Sequence, residues 1–382
     1  MTCPRIEIDL TKIAENARAL VTQLSGRGID VTGVTKATLG SPEVAKAMIA
    51  GGVVRLGDSR LENLEALRDA GIQAPLTLLR SPTPDQADRT VACASLSQVS
   101  ERDVVEALSA AAGKRGVVHG LVLMVELGDL REGILPENAL DLARHISLTP
   151  HVALAGLGTN LACRAGVVPS ADNMGELSAL VNRLEGELGL HLPLVSGGNS
   201  ANLAWAIAAP AGRVNDLRLG ESILLGCDPL TRIPLNGLHT DAFTLVVSVI
   251  ESLAKPTVPR GATGEAAFGV PTQTGERGTI IQTIASIGRQ DVDPDGLAPP
   301  QGVSVLAASS DHLVLETQHR LPPGTEIRFG LDYSALLRVM TSPFVMTMYT
   351  TTKRHSTSPS PSLPPFLPPS IPPVEKPTPA TP

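Results

Sequence analysis

Residues 31–40 read VTGVTKATLG, and this stretch decides the fold. The apolar, β-branched residues Val31 and Val34 predict a buried parallel strand. Ser41 and Pro42 follow almost at once and predict the start of a helix. A strand that leads directly into a helix is the repeating unit of α/β proteins, so the fold depends on whether this unit recurs.

Strand-like runs of this kind recur between residues 29 and 220, where they alternate with helical patterns. The eight predicted strands are IDVTGVT (29–35), VVRLG (53–57), PLTLLR (75–80), TVACASL (90–96), HGLVLMVEL (119–127), VALAGLG (152–158), LPLVSG (192–197) and VNDLRLG (214–220). Eight parallel strands with crossover helices favour a closed (β/α)8 TIM barrel over an open doubly wound sheet. In such a barrel, residues at the carboxyl ends of the strands meet around one pocket.

The sequence pattern changes twice after these strands, near residue 234 and near residue 351. The barrel domain is predicted over residues 11–233, and short alternating segments predict a smaller C-terminal all-β domain over residues 234–350. An initial strand within residues 4–10 is expected to join the β domain. Residues 351–382 hold 11 of the chain's 32 prolines and are predicted to form a disordered tail, either a passive extension or a ligand for a PxxP-binding partner.

Composition limits the partners and the compartment. The chain has 382 residues and a net charge of −7, which argues against a nucleic acid or an anionic membrane and favours a small-molecule partner. Its four cysteines are far apart, so neither a disulfide scaffold nor a metal site is indicated. Without a signal-type core or an apolar run of about 20 residues, a soluble, cytoplasmic protein is expected.

Lys36 is the first residue that points to chemistry. It follows the first predicted barrel strand, where partial removal from water would make its neutral amine available as a nucleophile. A surface lysine at a strand end is the plain alternative. Position alone does not separate these interpretations, so the other residues on the same face of the barrel decide between them.

Two further strand ends carry residues suited to a phosphate and an aromatic nitrogen. After LPLVSG, glycines and Ser200 begin a helix whose free amides can bind phosphate, although Ser200 also suits a plain N-cap. VNDLRLG contributes Arg218 and Gly220, and a salt bridge at the rim is the alternative role for Arg218. A lysine, a phosphate-binding turn and an arginine at one barrel mouth together indicate pyridoxal 5′-phosphate as the cofactor.

Several motifs, in a preserved order, carry a family resemblance. They are RIEIDLTKIAENARAL, VTGVTKATLG, VELGDLREG, GLGTNLAC, SGGNSAN, VNDLRLGESILLG, IGRQDV, ASSDHLVLE and LDYSALLRVMTSPFV. From about residue 4 to residue 349 the chain resembles the alanine racemase family of fold-type III pyridoxal-phosphate enzymes, and its ornithine racemase branch in particular. The resemblance implies a homodimer in which the β domain of one chain caps the barrel of the other.

The resemblance also assigns cofactor roles. Lys36 corresponds to the lysine that binds the coenzyme aldehyde and then acts as an acid or base. Ser200, Gly220 and Tyr333 would hold the phosphate, and Arg218 would face the pyridine nitrogen. A guanidinium there discourages protonation of the nitrogen, which weakens the electron sink and suits racemisation.

Substrate contacts follow from the same resemblance. Arg131 matches an arginine that steadies the site near the substrate carboxylate, for which a guanidinium is suited. An ion pair with Asp129 or Glu132 is the alternative for Arg131. Ser310 and Asp311 match a region that contributes to the substrate pocket across the dimer interface.

Three positions depart from the family pattern. Phe268 stands where a tyrosine is expected to act as the second base, which leaves the proton donor on that face open among Asp311, His312 and an ordered water. Gly40 replaces a tyrosine, and Asn160 replaces a histidine that often stacks on the ring. These two changes enlarge or repolarise the pocket and agree with a substrate longer than alanine.

The sequence therefore predicts an amino-acid racemase that acts on ornithine or a related basic amino acid. An alanine racemase, a fold-III decarboxylase or aldolase, and a pyridoxal-phosphate homeostasis protein remain alternatives. A long cationic substrate needs a carboxylate for its distal amine, and Glu126, Asp129 and Asp58 are the candidates near strand ends.

Overall fold

The computed structural model describes residues 4–269 and 275–351. The tail is predicted at residues 351–382, and all of it except residue 351 lies outside the described residues. The described chain begins with strand β1 (Arg5–Asp9) and helix α1 (Leu10–Ser25), whose N-terminus is capped by the Asp9 carboxylate.

Eight parallel strands then close into a barrel in chain order, and the last pairs with the first. They are β2 (Asp30–Val34), β3 (Arg55–Asp58), β4 (Leu76–Leu78), β5 (Leu96–Val99), β6 (His119–Val125), β7 (Val152–Thr159), β8 (Leu194–Asn199) and β9 (Asp216–Leu219). Their apolar side chains join one continuous core with the inner faces of the surrounding helices. The predicted barrel is confirmed.

Helices follow the barrel strands. They are α2 (Pro42–Ala50), α3 (Leu61–Asp69), α4 (Ala87–Cys93), α5 (Arg102–Arg115), α6 (Ala139–Leu148), α7 (Ala171–Leu188), α8 (Leu203–Ala208) and α9 (Glu221–Leu225). Short 3₁₀ turns lie at Lys36–Thr38, Pro84–Gln86, Pro136–Asn138, Ser200–Asn202 and Pro294–Gly296. Ser41 caps α2 through the amide of Val44, at the helix start that the sequence predicts.

One predicted strand is wrong. The segment TVACASL (90–96) belongs mostly to helix α4, and the strand follows it as β5. Ala87, Thr90, Val91 and Ala94 are buried, and their spacing is that of one helix face. The prediction used the two-residue period of a strand, whereas these buried residues repeat every three to four positions, as in a helix. The helix between β4 and β5 was missed for the same reason.

The rest of the described chain forms a mainly antiparallel sheet and one helix. The elements are β10 (Phe243–Pro256), β11 (Thr279–Ala285), β12 (Leu297–Ala298), β13 (Val303–Ala308), β14 (Leu313–Thr317), β15 (Glu326–Leu331), helix α10 (Tyr333–Thr341) and β16 (Met346–Thr350). The strand order is β12-β15-β10-β11-β14-β13, and β1 pairs with β10 and with β16. Helix α10 packs against the turn Lys36–Thr38 and so brings this second unit to the barrel mouth.

Within residues 4–269 and 275–351, none of the helices combines the length and the apolar character that crossing a membrane requires. The same part of the chain holds no group of three or more His, Cys, Asp or Glu side chains arranged to bind a metal ion.

Candidate active site

A cavity of about 560 Å³ opens at the carboxyl ends of the barrel strands. It brings together seven of the residues predicted from the sequence, which are Lys36, Arg131, Asn160, Ser200, Arg218, Gly220 and Tyr333. All but Tyr333 come from loops or strand ends of the barrel, as expected for this fold. Tyr333 is the first residue of α10 and reaches the cavity from the second unit.

Lys36 lies in the mouth of this cavity. It follows β2 as the first residue of a 3₁₀ turn, and its Nζ is 5.9 Å from the centroid of the Tyr333 ring. The side chain is exposed in the single chain. Burial, with a smaller contribution from the charge of Glu221, raises the pKa of Tyr333, so its phenol remains a hydrogen-bond donor near neutral pH.

Arg218 is a buried cation on β9 and is only 6% exposed. Its Nη2 donates to the carbonyl of Thr159 at 2.6 Å and to Oδ1 of Asn160 at 3.3 Å, and its Nη1 donates to the hydroxyl of Ser196. Among the described residues, no carboxylate forms a direct ion pair with Arg218. Burial lowers the pKa of this guanidinium, although Asp216 opposes the effect from behind Ser196.

The Ser200 hydroxyl, just after β8, accepts hydrogen bonds from the turn that follows the neighbouring strand β9. It accepts from the backbone N–H of Gly220 at 3.3 Å and of Ser222 at 3.2 Å, and it lies 3.0 Å from the Ser222 hydroxyl. A Cβ at Gly220 would lie 3.2 Å from Cβ of Val34, so glycine keeps this turn close to β2. The result is a compact set of neutral polar groups, next to the Glu221 carboxylate that lies between Gly220 and Ser222 in the chain.

Asn160 links the arginine to the loop that follows β7. Its Oδ1 accepts from Nδ2 of Asn199 at 2.9 Å as well as from Arg218, and its Nδ2 is 3.1 Å from Sγ of Cys163. The amide is therefore fixed in orientation by partners on both sides. Cys163 lies at the cavity wall with a free thiol.

Arg131 lies in the loop after β6. Its Nη2 is 2.9 Å from Oε1 of Glu132, and both side chains are about one third exposed at 38% and 29%. Of the two alternative ion-pair partners, the structure selects Glu132. Asp129 is occupied elsewhere, because its carboxylate accepts from the backbone amides of residues 163, 164, 165 and 167.

Sequence comparison now identifies the family. A model described as "Alanine racemase, N-terminal domain" matches residues 8–229. The chain belongs to the alanine racemase family.

Relatives and solved structures agree with this assignment. This family member is 37% identical to a lysine racemase from Thermotoga maritima over 91% of its own length and 99% of the relative's. It is 33% identical to an ornithine racemase from Acetoanaerobium sticklandii over 90% and 98% of the two chains. The structure of an alanine racemase from Clostridium difficile 630 superposes with a TM-score of 0.71 at 18% identity, covers 93% of this chain and 97% of that one, and supports the fold. The family predicted from the motifs is confirmed.

The three carboxylates predicted to bind a distal amine do not line the cavity of this racemase-family chain. Asp58 accepts from the Thr35 hydroxyl at 2.7 Å, the Arg60 amide at 2.9 Å and the Asn63 side chain at 3.0 Å. Burial raises the pKa of Asp58, whereas the four amides outweigh burial and lower the pKa of Asp129. Glu126 accepts from the amides of Gly128 and Arg131. These acids accept hydrogen bonds within loops of the barrel mouth, so none of the three candidates lines the cavity of this chain.

Three other positions singled out in the family resemblance lie away from the Lys36 cavity. Ser310 and Asp311 are exposed in the turn between β13 and β14, where His312 and then Ser310 hold the pKa of Asp311 below its usual range. The Phe268 ring is 5.4 Å from Cζ of Arg289 and lines a separate cavity of about 550 Å³. No contact within the described part of this chain joins them to Lys36.

Sequence reasoning missed several residues of the cavity wall. They are Arg80, Gln98, Cys163 and Arg232, together with Glu132 and Glu221, which the sequence suggested only as neighbours of the two arginines. Gln98 was missed because the predicted strand ends at residue 96, whereas β5 spans Leu96–Val99. Arg80 is the last residue of the predicted strand PLTLLR, so its position at a strand end was a usable signal, whereas Cys163 lies five residues beyond the predicted strand VALAGLG (152–158).

Proposed function

We propose that this protein is a pyridoxal 5′-phosphate-dependent racemase that interconverts the L and D enantiomers of a basic amino acid, ornithine or lysine. The observation that carries the proposal is one cavity lined by an accessible amine, Lys36, and by a buried arginine, Arg218, that has no ion-paired carboxylate within residues 4–269 and 275–351. Relatives that act on lysine and ornithine support the substrate class, since this chain matches each of them over nearly its whole length.

The polar groups of the cavity fit the coenzyme. Arg218 is held by neutral oxygens alone, so a guanidinium N–H can be shared with a neutral acceptor such as a pyridine nitrogen. The Ser200 and Ser222 hydroxyls, the first of which accepts from the N–H groups of Gly220 and Ser222, and the phenol of Tyr333 can donate to a phosphate dianion. Lys36 supplies the amine for the aldehyde. When bound, the coenzyme supplies the electron sink that acidifies the Cα–H bond of an amino acid.

Side chains of this protein move the proton, bind the substrate and orient the coenzyme. The Lys36 amine takes or returns the proton at Cα on one face of the substrate. Arg131, which is anchored by Glu132 and remains partly exposed, binds the substrate carboxylate. Arg218 cannot release its proton near neutral pH, so it keeps the ring nitrogen from becoming a strong electron sink and favours prompt return of the Cα proton.

A homodimer completes the proposal. Ser310 and Asp311 are exposed and do not line the cavity of their own chain, so the substrate contacts predicted for them require the cavity of a second copy. Light scattering of the purified chain tests this point. A mass of one chain at every concentration, in an enzyme that is active, contradicts the dimer.

A substrate panel tests the reaction. The purified protein is incubated in deuterated water with pyridoxal 5′-phosphate and with alanine, serine, ornithine, lysine or arginine. We expect ornithine or lysine to lose its α-proton to solvent while chiral chromatography shows both enantiomers approaching equal amounts. Absence of α-exchange with every amino acid contradicts the proposal. Release of carbon dioxide or an aldehyde would instead support the decarboxylase or aldolase alternative.

A further inference from the structure

Glu221 is a carboxylate at the wall of the Lys36 cavity with an exchangeable partner. It is the first residue of α9, and its side chain is only 13% exposed. Burial raises its pKa, because removal from water disfavours the charged carboxylate more than the nearby Arg232 guanidinium favours it. Its ion-pair partner is the guanidinium of Arg232, which lies eleven residues along the chain and lines the same cavity.

The Arg232 side chain is the exposed member of this ion pair. It is 61% exposed, and within the described residues Glu221 is its one ion-pair partner. The backbone below it is fixed, since the Arg232 N–H donates to the carbonyl of Asp228 at 2.8 Å and its φ is +62°. Because the guanidinium is largely exposed, it can swing into solvent while the loop stays in place, provided that another cation replaces it beside the buried carboxylate.

The location of Glu221 suits the far end of a long substrate. Lys36, Tyr333 and Glu221 line the same cavity, and the Tyr333 ring lies 5.9 Å from Nζ of Lys36. An amino acid whose Cα adjoins Lys36 can therefore extend its side chain along Tyr333 towards this carboxylate. The second carboxylate of the cavity wall, Glu132, is paired with Arg131 and is needed to hold it.

We infer that Glu221 binds the distal ammonium of a diamino-acid substrate, and that the Arg232 guanidinium holds the same place and must leave it for the substrate to bind. The inference rests on the proposed racemase function and assigns the residue that selects basic over neutral side chains. The exchange replaces one cation by another, so the partly buried carboxylate stays neutralised throughout.

L-Lysine and L-norleucine provide the test, because norleucine has the same carbon chain without the distal amine. Racemisation kinetics and calorimetric Kd values are measured for both amino acids in the wild type, Glu221→Gln and Arg232→Ala. We expect Glu221→Gln to lower kcat/KM and affinity for lysine by about 10- to 100-fold, and to leave norleucine nearly unchanged. Arg232→Ala should improve the affinity for lysine about threefold, since the competing cation is gone.

Glu132→Gln is the matched control, since it neutralises the other carboxylate of the cavity wall. Its ratio of lysine to norleucine affinity should stay near that of the wild type. An unchanged ratio in Glu221→Gln, or a collapsed ratio in Glu132→Gln instead, overturns the inference. A wild type that exchanges no α-proton contradicts the proposed function, whereas the calorimetric ratio still decides the role of Glu221.

Discussion

At the scale of single residues, Arg218 is a cation in the barrel interior whose hydrogen bonds all go to neutral oxygens. Leaving a guanidinium without a direct counter-ion is unfavourable in a buried position. A functional partner in the cavity accounts for that arrangement better than stability does. The sequence predicted this residue because it ends a barrel strand, and the structure adds that Asn160 and Ser196 fix its plane.

Replacement of Arg218 tests its role. We expect Arg218→Gln to slow racemisation about 10- to 100-fold, since a hydrogen bond to a charged group contributes about 1.5–3 kcal/mol. The ratio of 2-oxo acid to racemised product should rise, because a less basic donor no longer suppresses the competing transamination. Chromatography of both products measures the ratio, and Arg218→Lys, which keeps the charge, should lie between the two. A folded Gln variant with the wild-type rate and product ratio would assign Arg218 a purely structural role.

Residues at strand ends were predictable, whereas those on the loops that follow were not. Lys36, Ser200, Arg218 and Gly220 could be identified because a barrel collects the carboxyl ends of its strands. The pairing of Glu221 with Arg232 depends on how the chain turns after α9, and no periodicity in the sequence reports that turn. Carboxylates such as Asp129 looked available only because backbone donors cannot be seen in a sequence.

At the scale of elements, the pairing of β7 with β8 depends on a glycine. A Cβ at Gly156 would lie 1.8 Å from the carbonyl oxygen of Leu194, its partner in the register. We expect Gly156→Ala to lower the free energy of unfolding by about 1–3 kcal/mol or to prevent folding. Gly175→Ala is the control, because its Cβ meets nothing within 4 Å and it lies inside α7, where alanine should stabilise by about 0.5–1 kcal/mol. Urea denaturation measures both, and equal effects would contradict this account.

The start of β6 makes stability depend on pH. His119 is buried with Nε2 2.8 Å from the Ser97 hydroxyl, and burial lowers its pKa from 6.5 to about 4. Below about pH 6.5 the unfolded chain therefore binds a proton at His119, whereas the folded chain binds one only near pH 4. The contribution of His119 to the free energy of unfolding is thus complete above pH 6.5, and the free energy of unfolding falls by up to about 3 kcal/mol as the pH drops from 6.5 to 4. We expect His119→Asn to flatten this part of the profile in urea titrations at pH 7.5, 5.5 and 4.5. An unchanged slope would show that other groups control it.

The misplaced strand at residues 90–96 shows the limit of reasoning at this scale. A short apolar run fits a buried strand and a buried helix face equally well until its neighbours are known. The correct spacing of Ala87, Thr90, Val91 and Ala94 was present in the sequence, but the β-branched residues favoured the wrong choice.

At the scale of the whole molecule, the barrel and the second unit meet where α10 brings Tyr333 to the turn at Lys36. Both architectures were predictable, because repeated strand and helix units and then alternating segments are long-range patterns. The positions of Ser310, Asp311 and Phe268 relative to the site were not, because these residues lie away from the Lys36 cavity of their own chain and only the proposed homodimer would bring them to a second one. The open mouth and the exposed Lys36 side chain agree with a site that a second copy covers.

The central claim is that the amine of Lys36 forms the covalent bond to the coenzyme, and one measurement tests it most directly. The protein is incubated with pyridoxal 5′-phosphate, reduced with borohydride and mapped by mass spectrometry. We predict one phosphopyridoxyl group on the peptide that contains Lys36, its loss in Lys36→Ala, and its retention in Lys46→Ala, which removes an exposed lysine of α2. An adduct that persists at full level in Lys36→Ala, or a wild type that acquires none, would contradict the claim.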